Sequence, residues 1–288
     1  MSVSFARTLS GRSVPRVGTE RPRRPNWRKV KGFLMDIDGT LAATDPLHEV
    51  AIREMFRRAG ASADVVVDHR FIRENISGVD NADIVEKVSK TRSEISLSTD
   101  VRKLAPGLPQ SLLLRSPLTR SRAVNVHDQF LPHLSPEDAE KWIVDKESYF
   151  REVAKTQIEP VQGLRELMRW IKRRGIAAAA VTNAPRPNAL MILEGIGLAA
   201  DFAPIVIGPE CSNAKPHPEP YLAAMRKLGL QPEDCVAVED SVTGATAAVA
   251  AGVHTIGILT SQTAEAMGKI GVSHTIRDYR ELLREIEA

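Results

Sequence analysis

The stretch "KGFLMDIDGTLAATDPLH", residues 31–48, decides how the chain is read. Its apolar run, Gly32-Phe33-Leu34-Met35, ends on two aspartates, Asp36 and Asp38, followed by Gly39-Thr40. An apolar run without alternation is the pattern of a strand buried on both faces. Two carboxylates about 4 Å apart repel by roughly 4 kcal/mol at an effective dielectric near 20. An Asp-Gly pair also closes hairpins, but a turn alone does not call for more acids downstream. "CVAVED", residues 235–240, ends a second apolar run on Glu239 and Asp240. Acids gathered at strand ends need a cation, and hard oxygen ligands favour Mg²⁺.

Further apolar runs end in the same way, at "IAAAAVTN" (176–183), "APIVIG" (203–208) and "HTIGIL" (254–259). Between them lie helical patterns. "VQGLRELMRWIKRRG" sets Leu164, Leu167, Met168 and Ile171 on one face and stops on Gly175. "PEPYLAAMRKLG" starts with proline and ends on glycine. Buried strands alternating with helices give an α/β class, a doubly wound parallel sheet covered on both faces. Ligands of such sheets sit beyond the carboxyl ends of the strands, which is where Asp36, Thr182 and Asp240 fall. Thr182 and Asn183 read either as a phosphate cradle or as an ordinary strand-to-helix turn. Lys215, in "NAKPHPEPY" with Pro216 and Pro218 stiffening its loop, offers a fixed positive charge. Taken alone it is a surface lysine.

More than 130 residues separate the first two strands, too many for one crossover. Two long helical patterns fill part of the gap, "PLHEVAIREMFRRAG" (46–60) and "SPEDAEKWIVDKESYFREVAKT" (135–156). The second opens on Ser135 with acids at 137 and 138, an N-terminal signal. The sequence thus divides into a core over 31–42 and 157–288 and an inserted helical cap over 43–156. Residues 91–125 hold nine Ser or Thr and no period. They read as a disordered insertion in the cap.

The formal net charge of +3 is unevenly placed. Residues 1–31 carry nine Lys or Arg and one acid, Glu20, so the rest of the chain is net −5. A mildly acidic body argues against a nucleic-acid surface. No run of about 18 apolar residues occurs, so no membrane span is expected. Residues 1–30, rich in Ser and Arg and broken by Pro15, Pro22 and Pro25, read as a disordered basic leader. It is either an organelle transit peptide or a solvated tail, so the location is cytoplasmic or organellar. Cys211 and Cys235 show neither a disulfide pattern nor ligand spacing and are expected to be plain thiols.

Together and in this order, "DIDGT" (36–40), "VTN" (181–183), "KPHPEPY" (215–221) and "VEDSVTGATAAVAAG" (238–252) resemble the haloacid dehalogenase superfamily of phosphohydrolases. The insertion after the first motif resembles the members with a small helical cap, the β-phosphoglucomutases and sugar phosphatases. The resemblance implies an Mg²⁺-dependent phosphatase of small phosphorylated metabolites, sugar or polyol monophosphates, acting as a monomer. It implies Asp36 as nucleophile and Asp38 as general acid and base. Thr182, Asn183 and Lys215 would hold the transferring phosphate. Asp36, Asp38 (through its backbone carbonyl) and Asp240 would bind the metal, with Glu239 ligating or orienting the shell. His48, Gly78 and Asn81 in the cap would select the substrate. Mutases of this group carry an arginine where this chain has Asn81, and a neutral amide is a poor partner for a second phosphate. Gly78 and Asn81 fit a plain helix–helix turn equally well. A mutase is the alternative reading, and an inactive binding protein the second. Ala43 departs from the pattern, since relatives carry an aspartate at that hinge.

Overall fold

A computed structural model describes residues 24–60, 135–272 and 274–288. Gly78, Asn81 and the insertion 91–125 lie outside them. Six strands form one parallel sheet: β1 Gly32–Met35, β2 Ala177–Thr182, β3 Ile205–Ile207, β4 Cys235–Glu239, β5 His254–Ile258 and β6 His274–Ile276. Their order is β3-β2-β1-β4-β5-β6, so the first strand sits centrally with β2 and β4 on either side. The fold class read from the apolar runs is the one observed. The strand missing from that reading is β6, whose three residues His-Thr-Ile are too short to carry a period.

Alternate residues of each strand feed two cores, which is why these strands are apolar throughout. Phe33, Met35, Ala178, Ala180, Val236 and Val238 face one side. They meet α3 (Leu164–Arg173), α4 (Arg186–Gly195) and α8 (Tyr279–Glu287). Leu34, Ala179, Val181, Cys235 and Ala237 face the other. There they meet α5 (Glu219–Leu228) and α6 (Val242–Ala250). A short α7, Ala264–Lys269, covers the β5–β6 end. Cys211 and Cys235 are free thiols.

The insertion begins with α1, Asp45–Arg58, and returns through α2, Pro136–Ala154. The two pack on each other: the Trp142 indole donates to the Met55 carbonyl at 3.2 Å, and its ring lies 5.5 Å from that of Phe56. Ser135 is the N-cap of α2, its hydroxyl accepting from the Asp138 N–H at 3.1 Å. Leu47, Ala51, Phe150 and Ala154 carry the apolar contact onward into the sheet's core.

The leader needs correction at its end. Residues 1–30 read as disordered, but residues 24–30 pack on the core. Trp27 stacks on Phe33 with ring centroids 6.4 Å apart, and Val30 is buried. Lys31 then pairs with Asp234 at 2.8 Å. An aromatic and a valine amid the basic residues give this stretch something to bury, which its charge count concealed. No helix among the described residues is long and apolar enough to cross a membrane.

Candidate active site

The register explains why the acids meet. Met35 is level with Ala180 on one side and Val238 on the other. The next residues along these three strands are Asp36, Val181 and Glu239, followed on the outer two by Thr182 and Asp240. Asp36 keeps the ladder going, donating its N–H to the Val238 carbonyl at 3.1 Å. The chain then turns sharply. Gly39 has φ 71°, a conformation that costs a side-chain-bearing residue, and a Cβ there would collide with the Asp240 carboxylate. The loop is pinned from three directions. Gly39 N–H donates to the Thr44 hydroxyl (3.2 Å), the Thr260 hydroxyl donates to the Gly39 carbonyl (2.6 Å), and the Tyr279 hydroxyl donates to the Thr40 carbonyl (2.9 Å).

Lys215 is the hub. Its ammonium, 3% exposed, donates to Asp36 Oδ1 (2.8 Å), Glu239 Oε1 (2.6 Å) and the Val181 carbonyl (2.6 Å). All three of its hydrogens thus have partners. Glu239 Oε1 also accepts from the Tyr221 hydroxyl at 2.5 Å, and its Oε2 from the Ser241 hydroxyl at 3.3 Å. Gly244, in the first turn of α6, makes room for this carboxylate, with which any Cβ would clash. Asp240 accepts from the hydroxyls of Thr40 (3.2 Å) and Ser261. Asp36 Oδ2 has no hydrogen bond from the described residues.

Asp36, Glu239 and Asp240 each bring a carboxylate oxygen within 4.8 Å of the others, and all three residues are buried. Burial pushes the Asp36 carboxyl up to about 8, against the pull of the Lys215 ammonium; the charges of Glu239 and Asp38 add to the rise. Burial also raises Asp240, reinforced by Asp36, Glu239 and Asp45. Burial opposes the charge of Lys215, but the carboxylates of Asp36 and Glu239 outweigh it, so its pKa lies above the ordinary lysine value. Were all three carboxylates ionised, one ammonium would leave two negative charges unbalanced, a repulsion that adds to burial in raising Asp36 and Asp240. A hard dication is the group that fits that deficit and that oxygen donor set.

Thr182 is 1% exposed, and its hydroxyl accepts from the Ala184 N–H at 3.0 Å, leaving its own hydrogen to donate. The Asn183 side chain is tied to the lysine loop: Nδ2 donates one hydrogen to the Lys215 carbonyl (3.0 Å) and Oδ1 accepts from the Lys215 N–H (3.1 Å). An amide satisfied twice by one peptide positions that peptide, so Asn183 aims the lysine loop. His48 faces the loop that carries Asp38. Its Nε2 lies 3.1 Å from Asp38 Oδ1, and its ring stacks on Phe150 at 3.9 Å and 4°. It supports Asp38, whose side chain is 26% exposed. Tyr221, Ser261, Thr40, Phe150 and Asp45 were not singled out from the sequence. Tyr221 stood within the "KPHPEPY" motif, but nothing local tied its hydroxyl to Glu239.

A model of the haloacid dehalogenase-like hydrolase family matches residues 30–252, and the chain belongs to that hydrolase family. It is 32% identical over 139 residues to a phosphorylated carbohydrates phosphatase of Thermotoga maritima, covering 48% of this chain and 56% of that one. It is 33% identical over 110 residues to phosphoglycolate phosphatase of Salmonella typhimurium, covering 38% of this chain and 44% of that one. The chain thus spans about half the length of the curated relatives it matches. Among solved structures, CbbY of Rhodobacter sphaeroides in complex with phosphate superposes with a TM-score of 0.62 at 25% identity, over 90% of this chain and 100% of that one. A variant of the same protein, TM-score 0.61 and 25% identical, covers 88% of this chain and 96% of that one and was solved with xylulose-(1,5)bisphosphate.

Proposed function

We propose that this protein is an Mg²⁺-dependent phosphatase that hydrolyses small phosphorylated metabolites, sugar or polyol monophosphates, through a phosphorylated Asp36. The observation that carries the reading is the Lys215 ammonium bound to Asp36 Oδ1 with Asp36 Oδ2 left open among the described residues. One oxygen is held and the other is free to attack phosphorus in line. The charge of the same ammonium, with the Thr182 hydroxyl, would offset the negative charge gathering on the equatorial phosphate oxygens.

Asp36, Asp240 and the Asp38 backbone carbonyl would hold the metal, which supplies charge neutralisation to the phosphate. Glu239 is assigned an orienting role, because Lys215, Tyr221 and Ser241 already donate to its two oxygens. Asp38, partly exposed and held by His48, donates a proton to the leaving sugar oxygen as the P–O bond breaks and later removes one from the attacking water. Carbohydrate substrates are supported by the names of the relatives and by the sugar bisphosphate in the CbbY structure. Hydrolysis rather than mutation is supported by Asn81, a neutral amide where the mutases carry arginine.

The test is phosphate release from a panel of sugar and polyol monophosphates, with and without chelator, followed by a search for isomerised product. Release that stops with chelator and falls by about 10³-fold or more in Asp36→Asn is expected. An isomerised sugar phosphate would replace the phosphatase by a mutase. An Asp36→Asn protein with full activity would remove the nucleophile.

A further inference from the structure

The seam between α2 and α4 holds a buried polar cluster. Asn188, 1% exposed in the first turn of α4, accepts through Oδ1 from Arg151 Nη1 at 2.8 Å. Its Nδ2 donates to Glu147 Oε2 at 2.5 Å. Glu147 in turn pairs with Lys146 at 2.5 Å, and both are buried. The amide thus points its oxygen at a cation and its hydrogens at an anion, the orientation that satisfies both.

Glu147 and Arg151 stand four residues apart on α2, with the acid nearer the N-terminus, the favourable order for a pair on one helix. Glu147 already has the Lys146 ammonium as its counter-charge. What Asn188 adds is a fixed register between α2 and α4. Phe150 lies between these two anchors in sequence and is wholly buried, with its ring flat against His48. His48 in turn holds Asp38 Oδ1. A slide of α2 would therefore move the ring that backs His48.

We propose that Asn188 is a positioning residue for the acid–base group: it docks α2 on the core so that Phe150 holds His48 against Asp38. The inference rests on the reading of Asp38 given above. α4 begins at Arg186, after the Thr182-Asn183-Ala184-Pro185 turn, so the turn at the end of β2 runs straight into the helix that anchors α2.

The experiment is a double-mutant cycle between Asn188→Leu and His48→Ala, with His48 ring protons followed by NMR in the full-length protein. Asn188→Leu should lower kcat about tenfold and change KM by less than about threefold, as expected for a misplaced acid. In the His48→Ala background it should cost less than about twofold, because the two act as one unit. The ring-current shift that Phe150 imposes on the His48 protons should diminish in Asn188→Leu. Additive losses across the cycle, or an unchanged His48 shift, would overturn the proposal. If Asn188→Leu does not fold, Arg151→Met severs one half of the tie and must show a smaller loss with the same dependence on His48. A wild-type protein that releases no phosphate defeats the functional reading alone. The NMR arm then still decides whether Asn188 sets the His48 contact.

Discussion

At the scale of single residues, Lys215 decides most. It is the one ammonium in contact with Asp36 and Glu239 among the described residues. Removing one partner of a buried ionic cluster costs about 3–5 kcal/mol, because the other charges stay behind unpaired. Lys215→Met should therefore lose activity and unfold more readily in chemical denaturation. The loss should be greater at pH 8 than at pH 6, where the Asp36 carboxyl, raised by burial to about 8, takes up a proton and relieves the charge. Asp36, Glu239 and Asp240 could be picked out from the sequence because each ends or follows an apolar run, and strand ends share one edge of a sheet; Lys215 stood out only by its place between the second and fourth of those runs. The amide of Asn183 and the hydroxyls of Tyr221 and Ser261 could not. Their partners lie 18 to 32 residues away, across loops whose path the sequence does not encode locally.

At the scale of elements, the opposite end of the sheet behaves differently from the site. His254 opens β5 and His274 opens β6, with ring centroids 6.0 Å apart. Burial, and then the neighbouring His274, push His254 down to about 4. A depressed histidine means that the unfolded chain takes up a proton before the folded one does. Stability from this group is thus complete above the ordinary histidine pKa near 6.5 and declines as pH falls from there toward about 4. Thermal midpoints measured from pH 7 to pH 4 should fall, and His254→Gln should flatten part of that decline. Equal slopes in the two proteins would refute this origin. Helices and strands were legible where the period was long: α1, α2 and α3 all lie within three residues of their patterns. β6 was not, since three residues carry no period, and the Trp27 contact was hidden inside a basic segment.

At the scale of the whole molecule, the proposed function makes folding and metal binding one equilibrium. Three buried carboxylates against one ammonium make the native state an electrostatic expense that a dication relieves. Added Mg²⁺ should raise the melting temperature in a concentration-dependent way, with each factor of 100 above Kd contributing about 2.7 kcal/mol. Asp240→Asn should abolish most of that shift while leaving the apo protein as stable or more so. A shift of equal size in both proteins would place the ion elsewhere. The α1–α2 pair is coupled to this centre through Phe150 and His48, so the cap and the core share one network of contacts.

The sequence by itself determined the class of fold and the convergence of acids, because hydrophobic period and strand-end position are local properties that tertiary context only confirms. The contacts of Asn183, His48 and Asn188 were decided by the tertiary structure alone. Each depends on which donor and acceptor meet across the sheet or between helices, and those distances come from packing that no single segment specifies.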